Sequence, residues 1–172
     1  MTIQAGESIP AVKLCRMGAN GLEQINIAAY LKNRKVIIIG VPGAFTPACT
    51  INHMPGYVEN AGRLKEVGAD EIICIAMNDP FVMKKWGEML GVEGKVTMLT
   101  DGNGYFIHTL GLELDLRSRS LGIRSQRYRM IVNNGVVESI VVEPAANEVT
   151  VSSADNCMED FMRQLAHAIN QP

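Results

Sequence analysis

The chain carries KVIIIGV at residues 35–41, followed directly by PGAFTPAC at residues 42–49. The first segment is a near-continuous run of β-branched residues, which is typical of a strand buried on both faces of a sheet. A second run of this kind, EIICIAM, occupies residues 71–77. Residues 48–66 between the two runs favour a helix, with a kink or break expected at Pro55-Gly56. The order strand, helix, strand predicts an α/β fold.

The chain beyond residue 77 continues the alternation of helix and strand. Asp79-Pro80 predicts the start of a second helix, with Asp as N-cap and Pro in the first turn, running to about Leu90. Residues 96–99 predict a short strand that ends in the turn TDGNG at residues 100–104. This β-α-β-α-β order indicates a sheet that helices cover.

The C-terminal third predicts a hairpin and a last helix. The hairpin signal is Asn133-Asn134-Gly135 between two apolar segments, residues 128–132 and 136–142. Residues 152–155 (SSAD) then cap a helix that runs to about Ile169. We therefore predict one α/β domain over residues 1–172, with a mixed central β-sheet flanked by helices.

Composition narrows the possible partners and compartments. Sixteen Lys and Arg against eighteen Asp and Glu give a net charge of −2, which argues against attraction to nucleic acid or to an anionic membrane. The longest apolar run, residues 36–41, has the length of a strand rather than of a membrane span. The first residues lack a basic and apolar leader, so we expect a cytoplasmic protein.

The four cysteines are too few and too scattered for a disulfide scaffold, and no two have C-x-x-C spacing; they are Cys15, Cys49, Cys74 and Cys157. Cys49 stands out because a buried strand, a tight turn and a helix start precede it. With Thr46 as N-cap and Pro47 at the first helical position, Cys49 falls in the first turn. Unpaired backbone N–H groups and the helix dipole favour a thiolate there. The alternative is a small cysteine that only fills space.

The stretch PGAFTPAC is similar to the P-x-x-x-[TS]-x-x-C motif of peroxiredoxins, and it resembles the peroxiredoxin-5 (type II, atypical) subfamily in particular. The likeness continues through HMPGY at residues 53–57, NDPFVMK at 78–84, LGLELD at 110–115 and RYRM at 127–130. It covers about residues 5–169. The resemblance implies a thioredoxin-like fold and the reduction of hydrogen peroxide and organic hydroperoxides, without a metal or flavin cofactor.

The resemblance also implies roles for particular residues. Cys49 would be the peroxidatic cysteine, Thr46 its hydrogen-bonding partner and Pro42 the shield of the pocket. The family's active-site arginine corresponds to Arg127, which directly precedes an aromatic residue. Arg129 remains open as the alternative, because strand alternation would point both arginines to one face. Fixed donors around the departing oxygen would stabilise its charge, and the product would be a sulfenic acid.

Recycling of that sulfenic acid needs a second thiol. Cys74 matches the second cysteine of plant-type members of the subfamily, but it lies in the middle of a predicted buried strand, so we expect it to be secondary or merely packed. We expect glutathione or a glutaredoxin to resolve Cys49, with thioredoxin as the alternative. Cys157 is predicted to lie in an apolar stripe of the last helix with Phe161, Leu165, Ala168 and Ile169. We assign no role to Cys15.

Weaker signals have simpler explanations. His53 lies four residues after Cys49, and we expect it on the helix surface, shaping the pocket or an interface, rather than in a hydrolase or metal site. The arginines of residues 117–129 are expected to form a solvated face with one catalytic member. Apolar segments around Phe45 and residues 112–116 are predicted to make a subunit contact, which the resemblance favours as a homodimer. Two rival functions are possible for this sequence. One is a redox sensor that uses Cys49, and the other is a disulfide oxidoreductase.

Overall fold

The computed structural model describes residues 1–170. Their strands are β1 Lys13–Gly18, β2 Gly21–Asn26, β3 Lys35–Gly40, β4 Glu71–Ala76, β5 Thr97–Thr100, β6 Glu113–Asp115, β7 Ile123–Ser125, β8 Tyr128–Asn133 and β9 Val136–Val142. Their α-helices are α1 Ile27–Tyr30, α2 Met54–Glu66, α3 Pro80–Leu90, α4 Tyr105–Leu110 and α5 Ala154–Ile169. A π-helical segment, Ala48–His53, runs directly into α2, and Arg117–Arg119 form a turn of 3₁₀ helix.

A seven-stranded mixed sheet forms the centre, with the order β2-β1-β5-β4-β3-β8-β9. The pairs β3–β4 and β4–β5 are parallel, whereas β8 pairs antiparallel with both β3 and β9. The predicted mixed central sheet flanked by helices is confirmed. Strands β6 and β7 pair separately as a two-stranded ribbon.

The sheet buries apolar side chains on both of its faces, as the β-branched runs predict. One face packs α2, α3 and α5 through Tyr57, Leu64, Trp86 and Phe161, all buried. The other face carries Ile38, Ile73 and Tyr128 together with α1 and α4. Because β3 is an inner strand that pairs with both β4 and β8, the loop after β3 emerges from the interior of the sheet and not from its edge.

Most predicted elements are present, with shifts of one or two residues at their ends. Asp79 caps α3 by accepting hydrogen bonds from the backbone N–H groups of Phe81 and Val82, and Ser153 caps α5 through Asn156. The break expected at Pro55-Gly56 lies instead at the junction of the π-helical segment and α2, where Pro occupies the first turn of α2. Sequence analysis missed the β1–β2 hairpin, α1, α4 and the β6–β7 ribbon.

The apolar stripe predicted along the last helix is only half buried. Cys157 and Phe161 face the core, but Leu165 and Ile169 are 42% and 80% exposed, and Ala168 is exposed as well. The prediction was wrong for the second half of α5 because the helix extends past the edge of the layer it packs on. In the described part of the chain, no helix is both long and apolar enough to cross a membrane.

Candidate active site

The loop after β3 is held from two sides before it reaches Cys49. The backbone N–H of Ala44 donates to Asn78 Oδ1 at 2.8 Å, and Arg124 Nη1 donates to the Pro42 carbonyl at 3.4 Å. Phe45 has φ +63°, a left-handed backbone that side chains rarely adopt. Such strain persists only where the surroundings impose it, and here the contacts of Asn78 and Arg124 do so.

Cys49 lies in the π-helical segment and is fully buried. The N-cap residue of this segment is Pro47, without a side-chain capping bond, so the expectation that Thr46 caps it was wrong. The hydroxyl of Thr46 instead donates to the Gly43 carbonyl at 2.7 Å. With its proton engaged, the Thr46 oxygen is left with lone pairs that can accept a hydrogen bond.

Arg127 is the arginine that the structure brings to Cys49. Its Nη2 donates to Cys49 Sγ at 3.1 Å and to the Ala146 carbonyl at 2.8 Å, and its Nη1 lies 2.9 Å from His53 Nδ1. Arg129 points to the same face of β8, but its Nη2 binds Asp160 Oδ2 at 2.5 Å. The alternative that sequence spacing left open, Arg129, therefore contacts α5 and not Cys49.

His53 is part of the buried site, so its expected place on the helix surface was wrong. It is 1% exposed, and its Nε2 lies 3.0 Å from the Ser152 carbonyl. Because a carbonyl only accepts and Arg127 only donates, Nε2 must carry the proton and Nδ1 must accept. Burial and the charge of Arg127 lower the pKa of His53 to about 4, so the ring is neutral at pH 7.

Glu143 fixes residues 150–152, and the carbonyl of Ser152 in turn binds His53. Its carboxylate accepts hydrogen bonds from the backbone N–H and the hydroxyl of both Thr150 and Ser152, at 2.6 to 2.8 Å. Burial opposes ionisation, but the four bonds outweigh it and the pKa of Glu143 lies below its usual value. Tyr57 donates to the same Ser152 carbonyl at 2.7 Å. A continuous set of contacts thus runs from Glu143 through Ser152 and His53 to Arg127.

A pocket of about 410 Å³ opens on this site. Its walls combine prolines and aliphatic side chains with two asparagines and two arginines; the lining residues are Pro42, Thr46, Pro47, Ala48, Ile51, Asn52, Leu116, Arg119, Leu121, Arg127, Ala146 and Asn147. Cys49 lies behind this lining, next to Arg127. The sequence-predicted residues Pro42, Thr46 and Arg127 therefore meet around Cys49 at one pocket.

The other three cysteines are free thiols in different surroundings. Cys74 is fully buried in β4, pairs with Ile39 and Met98 of the neighbouring strands, and has its pKa raised strongly by burial. Burial also raises the pKa of Cys157 to about 11, against the opposing effect of Arg129. Cys157 is buried in the core, as predicted. Cys15 is half-buried in β1.

Three aromatic side chains are exposed in segments close in sequence to residues that Asn78 contacts. Phe45, Phe81 and Tyr105 are 49%, 68% and 66% exposed. Asn78 links their segments, because its side chain binds Ala44 and its carbonyl accepts from Thr100. Residues 112–116, in contrast, bury both leucines at their ends, so the subunit contact predicted there stays a prediction and has less exposed apolar surface to draw on than the segment around Phe45.

Sequence analysis expected His53 to shape the pocket from the helix surface and did not find its buried contact with Arg127, and it missed Glu143 altogether. The four-residue spacing from Cys49 to His53 was a usable signal, because it places both side chains on one side of a helical turn. Nothing local marks Glu143, which acts on residues seven to nine positions later. In residues 1–170, no three His, Cys, Asp or Glu side chains are grouped to hold a metal ion.

Comparison with known proteins shows which family this chain resembles over most of its length. The Redoxin family model matches residues 4–158. Peroxiredoxin-2B of Arabidopsis thaliana is 42% identical over 91% of this chain and 97% of its own length. The crystal structure of reduced Prx3 from Vibrio vulnificus in complex with H₂O₂ is 39% identical, with a TM-score of 0.89, over 93% of this chain and 99% of that one. Peroxiredoxin 5 from Alvinella pompejana is 34% identical, with a TM-score of 0.82, over 94% and 99%.

Proposed function

This chain belongs to the Redoxin family as a peroxiredoxin of the type II, peroxiredoxin-5-like kind, and from that membership we propose that Cys49 is the thiol with which it reduces peroxides. Thiol-dependent reduction of peroxide through a cysteine is the activity of the family. The observation that carries the assignment to Cys49 is the hydrogen bond of 3.1 Å from Arg127 Nη2 to Cys49 Sγ behind an open pocket.

In the proposed step, the Cys49 thiolate attacks one oxygen of a hydroperoxide ROOH. The S–O bond forms as the O–O bond breaks, and the sulfur supplies the two electrons that reduce the peroxide. The departing oxygen takes up a proton and leaves as ROH, which is water when the substrate is hydrogen peroxide. Cys49 becomes a sulfenic acid. Because the sulfur supplies both electrons, the proposed reaction uses no metal and no flavin.

The neighbouring groups have separate tasks in this step. Arg127 donates to the sulfur and to the charge that develops on the peroxide oxygens. Thr46 accepts a hydrogen bond from the peroxide hydroxyl, since its own proton is held by the Gly43 carbonyl. Pro42, which is buried, closes the pocket against water on one side.

For recycling, we propose an external thiol, with glutathione or a glutaredoxin ahead of thioredoxin. The thiol condenses with the sulfenic acid to give a mixed disulfide and water, and a second thiol then releases the Cys49 thiol. The burial of Cys74 in the middle strand of three supports this choice over an internal disulfide. The raised pKa of Cys74 keeps this side chain protonated, and a thiol is less reactive than a thiolate. We propose both hydrogen peroxide and organic hydroperoxides as substrates. The largely apolar pocket supports the organic hydroperoxides in particular.

We further propose that the protein is a cytoplasmic homodimer. The support for a dimer is the group of exposed aromatic side chains Phe45, Phe81 and Tyr105 beside the active-site loop. Large exposed apolar side chains that lie together are typical of a protein–protein contact. In such a dimer, each active-site loop would be supported by the partner.

The test of the reductant is peroxide consumption with glutathione, glutaredoxin and thioredoxin systems supplied in turn. We expect turnover with glutathione or glutaredoxin and expect Cys74→Ser to retain it. Cys157→Ser serves as the matched control, since that thiol is equally buried and lies outside the proposed chemistry. Loss of turnover in Cys74→Ser alone, with an intact fold and a Cys49–Cys74 disulfide in the wild type, would overturn external resolution.

A further inference from the structure

Five arginines lie between residues 117 and 129, and four of them have their guanidinium groups bound within the protein. Arg117 forms an ion pair with Asp115, and Arg124 donates to the carbonyls of Leu121 and Pro42. Arg127 binds Cys49, His53 and Ala146, and Arg129 binds Asp160. Among residues 1–170, no side-chain hydrogen bond or ion pair engages Arg119. Its positive charge is therefore available to a ligand.

Arg119 also differs from the others in its position. It is exposed, and it lines the 410 Å³ pocket that leads to Arg127 and Cys49. The described residues that line this pocket include no aspartate and no glutamate. The volume falls within the range of about 300–1,000 Å³ that is usual for small-molecule sites. The pocket thus combines an apolar wall and two amides with a cation that no carboxylate neutralises.

We propose that Arg119 forms a subsite for a carboxylate on the molecule that reacts at Cys49. The fit is chemical: the apolar and amide lining takes the body of the ligand, the reacting group points inward to Arg127, and the guanidinium of Arg119 binds the carboxylate. This proposal rests on the proposed function of Cys49. It makes Arg119 a specificity-determining residue, because it acts on partners that carry a carboxylate and leaves neutral ones unaffected.

A carboxylate can arrive at this pocket on either of two reaction partners. The reducing thiol carries it when the thiol is glutathione, and the peroxide carries it when the substrate is a fatty-acid hydroperoxide. The chemistry recognised by Arg119 is the same in both cases. Separate assays of the two half-reactions tell which partner uses the subsite.

The test compares wild type with Arg119→Gln on paired charged and esterified probes. In the thiol arm, kcat/KM is measured for glutathione and for glutathione diethyl ester at fixed hydrogen peroxide. In the peroxide arm, it is measured for linoleic acid hydroperoxide and for its methyl ester at fixed thiol. Arg117→Gln is the matched control: it removes the same charge two residues away, from an arginine paired with Asp115 and outside the pocket.

We expect Arg119→Gln to lower kcat/KM about five- to tenfold for the carboxylate form in at least one arm, the size of an exposed charge-assisted hydrogen bond. The ester in that arm and the Arg117→Gln control should change less than about twofold. The arm that responds identifies the partner. Equal losses for acid and ester, or no loss in either arm, overturn the subsite. The proposed function is judged separately, on whether the wild type reduces hydrogen peroxide with the esterified thiol.

Discussion

The guanidinium of Arg127 divides its donors among three acceptors, and each acceptor restricts it in a different direction. One nitrogen binds Cys49, another faces His53 Nδ1, and the Ala146 carbonyl accepts from two. An arginine held in this way loses little conformational entropy when a peroxide binds. Its rigidity depends on His53 being neutral and on Ser152 holding the other ring nitrogen.

Substitutions of Arg127 and His53 separate two effects: the loss of the donor itself, and the loss of its orientation. We expect Arg127→Ala to lower kcat/KM for hydrogen peroxide by about 10²–10³-fold, the usual cost of a lost donor to developing charge. His53→Ala should cost about tenfold, because the donor remains but loses its orientation. His53→Asn should recover part of that loss by offering Arg127 a side-chain oxygen. His108→Ala, at an exposed histidine bound to Glu113, is the control. Wild-type rates in His53→Ala would contradict the positioning role.

The neutral state of His53 also links stability to pH. Its pKa is about 4 in the folded protein, against an ordinary value of 6.5, because burial and the charge of Arg127 lower it more than the Ser152 carbonyl and Glu143 raise it. Because the unfolded chain binds the proton more readily, the contribution is fully present above pH 6.5 and is lost progressively as the pH falls towards 4. We expect wild type to lose up to about 3 kcal/mol of unfolding free energy over this window through His53. Urea titrations of wild type and His53→Asn at a series of pH values measure this loss of unfolding free energy. If the unfolding free energies of the two proteins changed with pH in parallel, the role of His53 would be contradicted.

At the scale of elements, the π-helical segment decides where Cys49 and His53 point. Sequence analysis located the helix and the first turn containing Cys49, because the strand, the prolines and the apolar pattern are local signals. It placed the irregularity at Pro55-Gly56 instead of before Met54. A π-helix bonds each residue to the fifth along the chain and an α-helix to the fourth, and sequence periodicity does not distinguish the two over one turn; the contact of His53 with Ser152 fits the π-helical arrangement.

Oxidation of Cys49 should loosen this segment selectively. The sulfur is fully buried, so an added oxygen disturbs the packing around it, and the residues that carry it form a π-helical segment, an arrangement that is rare outside single turns. We expect hydrogen–deuterium exchange at residues 48–53 to accelerate about tenfold or more after one equivalent of peroxide, which corresponds to about 1.4 kcal/mol. The second half of α2 is the internal control. Unchanged exchange in a protein shown by mass to be oxidised would contradict this account.

Over the whole molecule, the central sheet was predictable and the connections around the site were not. Buried β-branched runs and the Asn134-Gly135 turn specify β3, β4 and the β8–β9 hairpin through local patterns. The resemblance of residues 42–49 and 127–130 to a known family supplied the pairing of Cys49 with Arg127. The link from Glu143 to His53 joins residues 90 positions apart through the backbone carbonyl of Ser152. Because every residue has a backbone carbonyl, the sequence does not show which one is used.

The exposed aromatic group predicts how the whole molecule associates. We expect Phe81→Asp to convert the proposed dimer to a monomer, because it places a charge where apolar surface would be buried. Met89→Asp is the matched control, since Met89 is 53% exposed on the same helix at its other end. Sedimentation velocity at micromolar concentration distinguishes the two variants. A monomeric wild type, or dimers that survive Phe81→Asp, would contradict this contact.

The central claim is that Cys49 alone among the four cysteines takes the oxygen from peroxide. The direct measurement treats reduced protein with one equivalent of hydrogen peroxide in the presence of dimedone, which traps sulfenic acids, and locates the adduct by peptide mass spectrometry. We predict a single adduct on the peptide that contains Cys49, and no adduct and no rapid peroxide consumption in Cys49→Ser. An adduct on Cys15, Cys74 or Cys157 instead, or peroxide consumption by Cys49→Ser at the wild-type rate, would contradict the account.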